Sequence, residues 1–309
     1  MMIRTSFPDL FMASMLPALE EVTMMKFARH PPQYSRIFRV SSSGKSIEQY
    51  SEITGLGLGI EIPEGGDMRY DQPLPGFRKT YVHAQFGLGY RASRIMADDD
   101  RFGVIKQMAG ELGRSMRETV ELHAAADLNN GFAGGAYAGP DGQPLFSAAH
   151  PLVKAGGVWS NTGTAADLDV TSLELALTQF RNMVDPAGKK IRMVPDQLVL
   201  PTALEFAASE MLKGLMRSDT ANNTVNAFKN RVGMASFSDI FIYEYLTDPD
   251  AWFVRATKEE TALRFWWRER PSLVHEIHFD SRSLKSAMWM RFSHGWDNAF
   301  GWYGNPGAA

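Results

Sequence analysis

Several groups of residues have the types and spacing that chemistry uses. Gly55, Gly57 and Gly59 in GLGLGIEIP have the glycine density of a phosphate loop. Such a loop sits between a strand and a helix whose free N–H groups meet the phosphate, whereas here Glu61, Ile62 and Pro63 follow, so no nucleotide is expected. His275 and His278 flank Glu276. A zinc hydrolase sets two histidines four apart on a helix, and this segment alternates like a strand, so both are read as solvent-facing. Asp98, Asp99 and Asp100 offer oxygen ligands without the spaced pattern of a calcium loop, and capping a helix is the simpler role. Ser147 stands near His150, but no G-x-S-x-G elbow is present, and a triad is recognised by geometry rather than proximity. RFWWRER, residues 264–270, mixes basic and aromatic side chains, so that bases would stack on Trp266 or Trp267. A strand with one face in a core and one in an interface has the same composition, and that reading is preferred.

Composition narrows the classes further. The chain has 309 residues and no cysteine, which excludes disulfides, thiolate metal sites and cysteine nucleophiles. Hydrophobic residues make up 44% and charged residues 22%, ordinary globular usage with a sizeable core. No run approaches the roughly 18 apolar residues of a membrane helix, and the N-terminal segment lacks a signal peptide pattern, so no membrane is expected. A formal charge of −3 without clustered Lys and Arg argues against a sequence-reading DNA binder. No catalytic, cofactor-binding or metal-ligating residue is therefore expected.

The elements that must position these residues form a mixed pattern. An apolar helix is predicted around Leu10 to Met25 and stops at Pro31–Pro32; it reads either as an arm or as a terminal helix packed on its own domain. Val82, Ala84, Phe86, Leu88 and Tyr90 alternate as a half-buried strand, with a facing strand expected within Arg36 to Tyr50. Between them GLGLGIEIPEGGDMRYDQPLPG is too long for a tight turn and reads as a projecting, mobile loop. A hairpin arm of about 15 residues would reach on the order of 50 Å and would need outside support. Phe102, Ile105, Met108 or Ala109, Leu112, Met116, Val120 and His123 mark one long amphipathic helix, capped by the aspartates and stopped near Gly131. At about 30 residues and roughly 45 Å it would serve as a spine. Residues 135–163 read as an ordered loop. Helices follow near Leu173 to Met183 and Ala203 to Leu215, and strands at Gln197 to Leu200, Ile240 to Leu246, Ala251 to Arg255, Leu263 to Trp267, Val274 to Phe279, Ser286 to Phe292 and Ala299 to Tyr303. Without regular βα alternation the class is α+β.

The order of RASRIMADDDRFGVIKQMAGELGRSMRETVELHAAADLNNGF, DGQPLFSAAHP, GGVWSNTG and PDQLVLPTALEFAA resembles the major head subunits of Mu-like tailed phages and prophages. These belong to the Hong Kong 97-type phage capsid fold. The resemblance runs from about residue 36 to the closing RFSHGWDNAFGWYG. It implies an N-terminal arm (1–35), an extended β-hairpin loop and its base (36–94), a peripheral domain with a long spine helix (95–163), an axial domain (164–262) and a return to the peripheral domain (263–309). The implied function is self-assembly into hexamers and pentamers of an icosahedral head around packaged double-stranded DNA, in the virion after assembly in the host cytoplasm.

Partners implied by the resemblance are other copies of the chain, a separate scaffolding protein, a portal and decoration proteins, with only non-specific proximity to DNA. A scaffold is expected because the sequence starts almost at the arm. Some relatives cross-link subunits through a Lys–Asn isopeptide bond, for which Lys45 and Lys79 are the candidate lysines; with Trp266 and Trp267 they are the candidate inter-subunit contacts. The alternatives are an encapsulin-like shell around protein cargo and a cytoplasmic hydrolase using His150 or His275.

Overall fold

The computed structural model describes residues 7–93, 95–96, 99, 103–214, 228, 237, 239–278, 280 and 283–308, with side chains in the first helix from Met15 onward and without that of Lys213. From the N-terminus run α1 (Phe7–Phe27), the single turn α2 (Tyr34–Ile37), β1 (Arg39–Ser42), β2 (Ile47–Ile53), β3 (Pro75–Val82) and β4 (Ala84–Ala92). The long helix α3 (Val104–Asn129) precedes a loop region with the two-residue strands β5 (His150–Pro151) and β6 (Val158–Trp159). Then come α4 (Val170–Arg181), β7 (Gln197–Leu200), α5 (Glu205–Lys213), β8 (Asp239–Ile242) and β9 (Trp252–Arg255), and last β10 (Leu263–His278), β11 (Ser283–Trp296) and β12 (Trp302–Asn305).

Helix α3 has the expected stripe: Ile105, Ala109, Leu112, Met116, Val120, Ala124 and Leu128 are all buried. Its 26 residues span about 39 Å at a rise of 1.5 Å each. The start differs from the expectation. Gly103, at φ +67°, is the N-cap, a left-handed conformation that glycine adopts without steric cost, and the first turn holds no acidic residue. Asp98, Asp100 and Phe102 lie outside the described residues, and Asp99 stands a full turn too early to cap. At the other end Asn130 closes the helix one residue before Gly131.

Of the two roles open to α1, packing on its own subunit is the one observed. Leu19 and Thr23 are buried, and a Cβ on Gly113 would lie 2.2 Å from the Thr23 carbonyl oxygen, so only glycine lets α1 and α3 approach this closely. Arg117 fixes the end of α1, donating from Nε to the Phe27 carbonyl at 2.8 Å and lying 4.3 Å over the Phe27 ring. Glu121, 2% exposed on α3, then receives the next segment: its two carboxylate oxygens accept from Gln33 N–H and Tyr34 N–H, each at 2.9 Å.

Two four-stranded sheets carry the core, one in the order β1-β10-β11-β4 and the other β12-β9-β7-β8. The expected facing strand within residues 36–50 is found only in part: Val82 lies at the end of β3 and pairs with Ile47 of β2, whereas the rest of the alternating segment, from Ala84, lies in β4 beyond a break at His83 and pairs with β11. Leu263 to Trp267 and Val274 to Phe279 form one long strand, β10, whose register shifts around Arg268 and Pro271; Phe279 lies outside the described residues. The helix expected from Ala203 begins as a 3-10 turn, Thr202–Leu204, before α5, and Leu215 lies outside the described residues. The last strand, β12, pairs with β9 rather than with β10 or β11, so the three C-terminal strands feed both sheets. Phe292, at the centre of β11, stacks on Phe86 at 4.4 Å and Phe265 at 5.0 Å, with His123 of α3 at 6.1 Å, joining sheet to spine helix.

Candidate assembly surface

Among the described residues, the segment between β2 and β3 is the surface least used by the subunit's own core. From Thr54 to Leu74 only Thr54 is buried, and apolar side chains face solvent: Leu58 is 79% exposed, Met68 66% and Tyr70 88%. The expectation of an unsupported projecting arm needs correction at its root. The paired hairpin is seven to eight residues per strand, about 25 Å at 3.3 Å per residue, and lies along the body. Tyr81 of β3 is 3% exposed and donates its hydroxyl to Asp297 Oδ1 at 2.6 Å, and the other Asp297 oxygen takes Arg264. Burial is the main cause that raises the Asp297 carboxyl above the usual range, with these two donors opposing it. Arg264 also covers the Tyr50 ring at 4.6 Å, so β2 and β3 are both tied to the start of β10.

Beyond the hairpin the two legs of the loop are held by one lysine. Lys154 Nζ donates to Asp71 Oδ2 at 2.6 Å, to the Gly55 carbonyl at 3.3 Å and to the Gln72 carbonyl at 3.2 Å. Asp71 Oδ2 also accepts from Gly57 N–H at 2.6 Å. The Lys154 bond and the Gly57 N–H hold the Asp71 carboxyl down to about 2.

Under the hairpin lies a small cavity of about 20 Å³, room for about one water. Glu52, Asp141 and Asp297 line it with His150, Trp159 and Phe300. Glu52, 8% exposed, has its carboxyl raised mainly by burial, with Asp141 and Asp297 adding repulsion and N–H donors from Phe77 and Asn298 opposing. His150 is fully committed: Nδ1 lies 2.6 Å from Asp141 Oδ2 and Nε2 3.2 Å from Asn161 Oδ1. Ser147 Oγ instead donates to Gln143 Oε1 at 3.1 Å, so His150 and Ser147 form no nucleophile–base pair.

The other residues singled out from sequence sit apart from one another. Lys45 is exposed and 3.7 Å from Glu48. Lys79 is half-buried, 6.0 Å over the Trp296 ring. Trp266 is half-buried on the outward face of β10. Trp267, 3% exposed, packs on Phe265 and Phe292 and donates its indole N–H to Tyr34, so its area serves the subunit's own core rather than a neighbour. His275 is not solvent-facing: it is half-buried, with Nδ1 2.7 Å from Ser286 Oγ, because Ser286 faces it across the β10–β11 ladder, and its pKa is lowered by burial. Gly55, Gly57 and Gly59 lie in irregular loop with no helix following. Sequence reasoning missed Lys154 and Glu121; a lone acid beside the buried stripe of α3 was the available signal for the second, and for the first there was none.

The family model for phage capsid protein matches residues 78–305. No curated protein matches the chain. Among solved structures the chain is similar to that of Mycobacterium phage Bobi, with TM-score 0.58, 12% identity and 91% of each chain covered. It is similar to the procapsid of bacteriophage JBD30, with TM-score 0.54, 14% identity and coverage of 98% of this chain and 77% of the other. A virus-like particle from Pyrococcus furiosus has the same fold at TM-score 0.51 and 9% identity, covering 94% and 99%. The mixed α+β chain with its long helix thus has the Hong Kong 97-type fold, matched over 91–98% of its length, and the chain belongs to the phage capsid protein family, a structural subunit of the capsid shell.

Proposed function

We propose that this subunit is the major head protein of a Mu-like tailed phage or prophage, building hexamers and pentamers that close into a head around double-stranded DNA. The observation that supports it best is the apolar tip of the 54–74 loop, exposed on a subunit whose core is otherwise well filled. Large exposed apolar patches mark surfaces that meet another protein, and identical subunits in a closed shell supply that partner many times over. On this reading residues 36–94 are the extended loop and its base, 95–163 the peripheral domain around the spine helix, and 164–262 the axial domain. Lys45 and the outward face of Trp266 lie at contacts between copies. A scaffolding protein, a portal and decoration proteins are its other partners, and assembly takes place in the host cytoplasm. A formal charge of −3 suits a shell that does not trap the DNA it encloses, because phosphate affinity follows clustered Lys and Arg.

Negative-stain electron microscopy of the purified chain, alone and with a scaffold candidate, tests this. Closed shells or rings of five and six are expected, and a small uniform oligomer under every condition overturns the reading. The second reading is an encapsulin-like shell around protein cargo, and the fold shared with a virus-like particle from Pyrococcus furiosus agrees with a closed shell of either kind. Particles that carry a specific enzyme and exclude DNA would establish it instead.

A further inference from the structure

Lys154 is presented to the loop by a fixed platform. Its own N–H donates to the Pro186 carbonyl at 3.1 Å, and Leu152 N–H closes the β5–β6 turn onto Gly157 at 3.0 Å. From there Nζ reaches three oxygens on both legs of the loop, and Asp71 ties the legs to each other through Gly57 N–H. A second charged pair, Asp185 and Lys189 at 3.3 Å, stands beside the first leg, its atoms 3.6 and 3.8 Å from where a Cβ on Gly55 would be. Between the legs, residues 58–70 are exposed throughout.

This arrangement does little for the subunit's own stability. Partly exposed ion pairs contribute small amounts to folding, and the loop they order adds no residue to either apolar core cluster. What the clamp does fix is geometry. Resting on the self-assembly reading above, we propose that Lys154 and Asp71 are positioning residues for assembly: by holding both legs on their own subunit they set the direction in which the apolar tip leaves, and hence where a second copy of the chain meets it. The same Lys154 and Gly57 donors that hold the legs keep the Asp71 carboxyl ionised at neutral pH.

The test compares wild type with Lys154→Met, Asp71→Asn, the conservative Lys154→Arg and the charge-exchanged pair Lys154→Asp with Asp71→Lys, all as full chains. Two readouts are taken beside the thermal midpoint: tryptic cleavage after Arg69 in dilute, unassembled chain, and the yield and uniformity of particles by electron microscopy. Opening the clamp in Lys154→Met and Asp71→Asn should speed cleavage by up to about fivefold, the factor matching an exposed pair. It should also reduce or scatter the particles while moving the midpoint by less than about 2 °C. Lys154→Arg should keep wild-type behaviour and the exchanged pair should recover most of it. The proposal is overturned if either cleavage or particle formation stays at the wild-type level in Lys154→Met, or if particles are lost only in proportion to a falling midpoint. A wild type that never closes shells overturns the self-assembly reading itself and the positioning role with it, a result distinct from variants that match a shell-forming wild type.

Discussion

The surroundings of Phe292 and the loop from Thr54 to Leu74 use apolar side chains in opposite ways. Phe292 is 0% exposed and lies among Phe86, Phe265 and Trp267. The loop carries Leu56, Leu58, Ile60, Ile62, Met68 and Tyr70, all more than a third exposed, and only a few polar ties hold it. In the first region hydrophobic side chains specify the fold of one chain. In the second, among the described residues, they face solvent, and on the proposed reading their partner is the next copy of the chain. The two regions should therefore separate under mutation.

The largest effect is expected in the core. Phe292→Ala removes a buried ring from the junction of β4, β10, β11 and α3, and should cost about 3–5 kcal/mol in urea or guanidinium unfolding. A loss under 1 kcal/mol would mean that this junction is not a core. Glu121→Ala comes next: it leaves the N–H groups of Gln33 and Tyr34 without their carboxylate, for about 1–3 kcal/mol by the same measurement. An unchanged midpoint would show that Glu121 does not fix the entry to α2.

Glu52 sharpens the comparison through pH. Its folded pKa is raised, so the protonated carboxyl is favoured in the cavity, and its contribution to stability is full at low pH and lost as pH rises from the ordinary glutamate value through the folded one. Glu52→Gln, neutral at every pH, should thus be more stable than wild type at pH 7–8, with the gap closing below about pH 4 in thermal melts across pH. A gap of constant size would show that charge in the cavity is not the cause. The smallest effect on folding is expected at the loop tip, where Leu58→Ser and Tyr70→Ser should shift subunit stability by no more than about 0.5 kcal/mol yet lower particle yield. Stability loss of core size would dissolve the distinction between the two regions.

How much of this was legible in the sequence follows from distance along the chain. The stripe of α3 and the apolar run of β7 are local patterns, and their positions were readable within a residue or two. Pairing is not local: Val82 finds its partner at Ile47, within residues 36–50, but β4 meets β11 nearly two hundred residues away. The break at His83 was hidden because Val82, the last residue of β3, fits the alternation of β4; His83 itself is buried between Ser43, just past β1, and Ser293 of β11. Trp266 and Trp267 look alike in RFWWRER, and only the pleat of β10 decides which one the core takes. The Lys154 clamp joins residues 83 apart between two irregular segments, where neither periodicity nor turn chemistry points from one to the other.

Hydrogen exchange of residues 58–70, followed in the free chain and again in assembled particles, tests the central claim most directly. The account predicts fast exchange of these amides in the free chain and strong protection after assembly, while the amides of β10 and β11 around Phe292 are protected in both. Tip amides that exchange equally fast before and after closure would contradict it, because the exposed apolar loop would then have no partner in the shell.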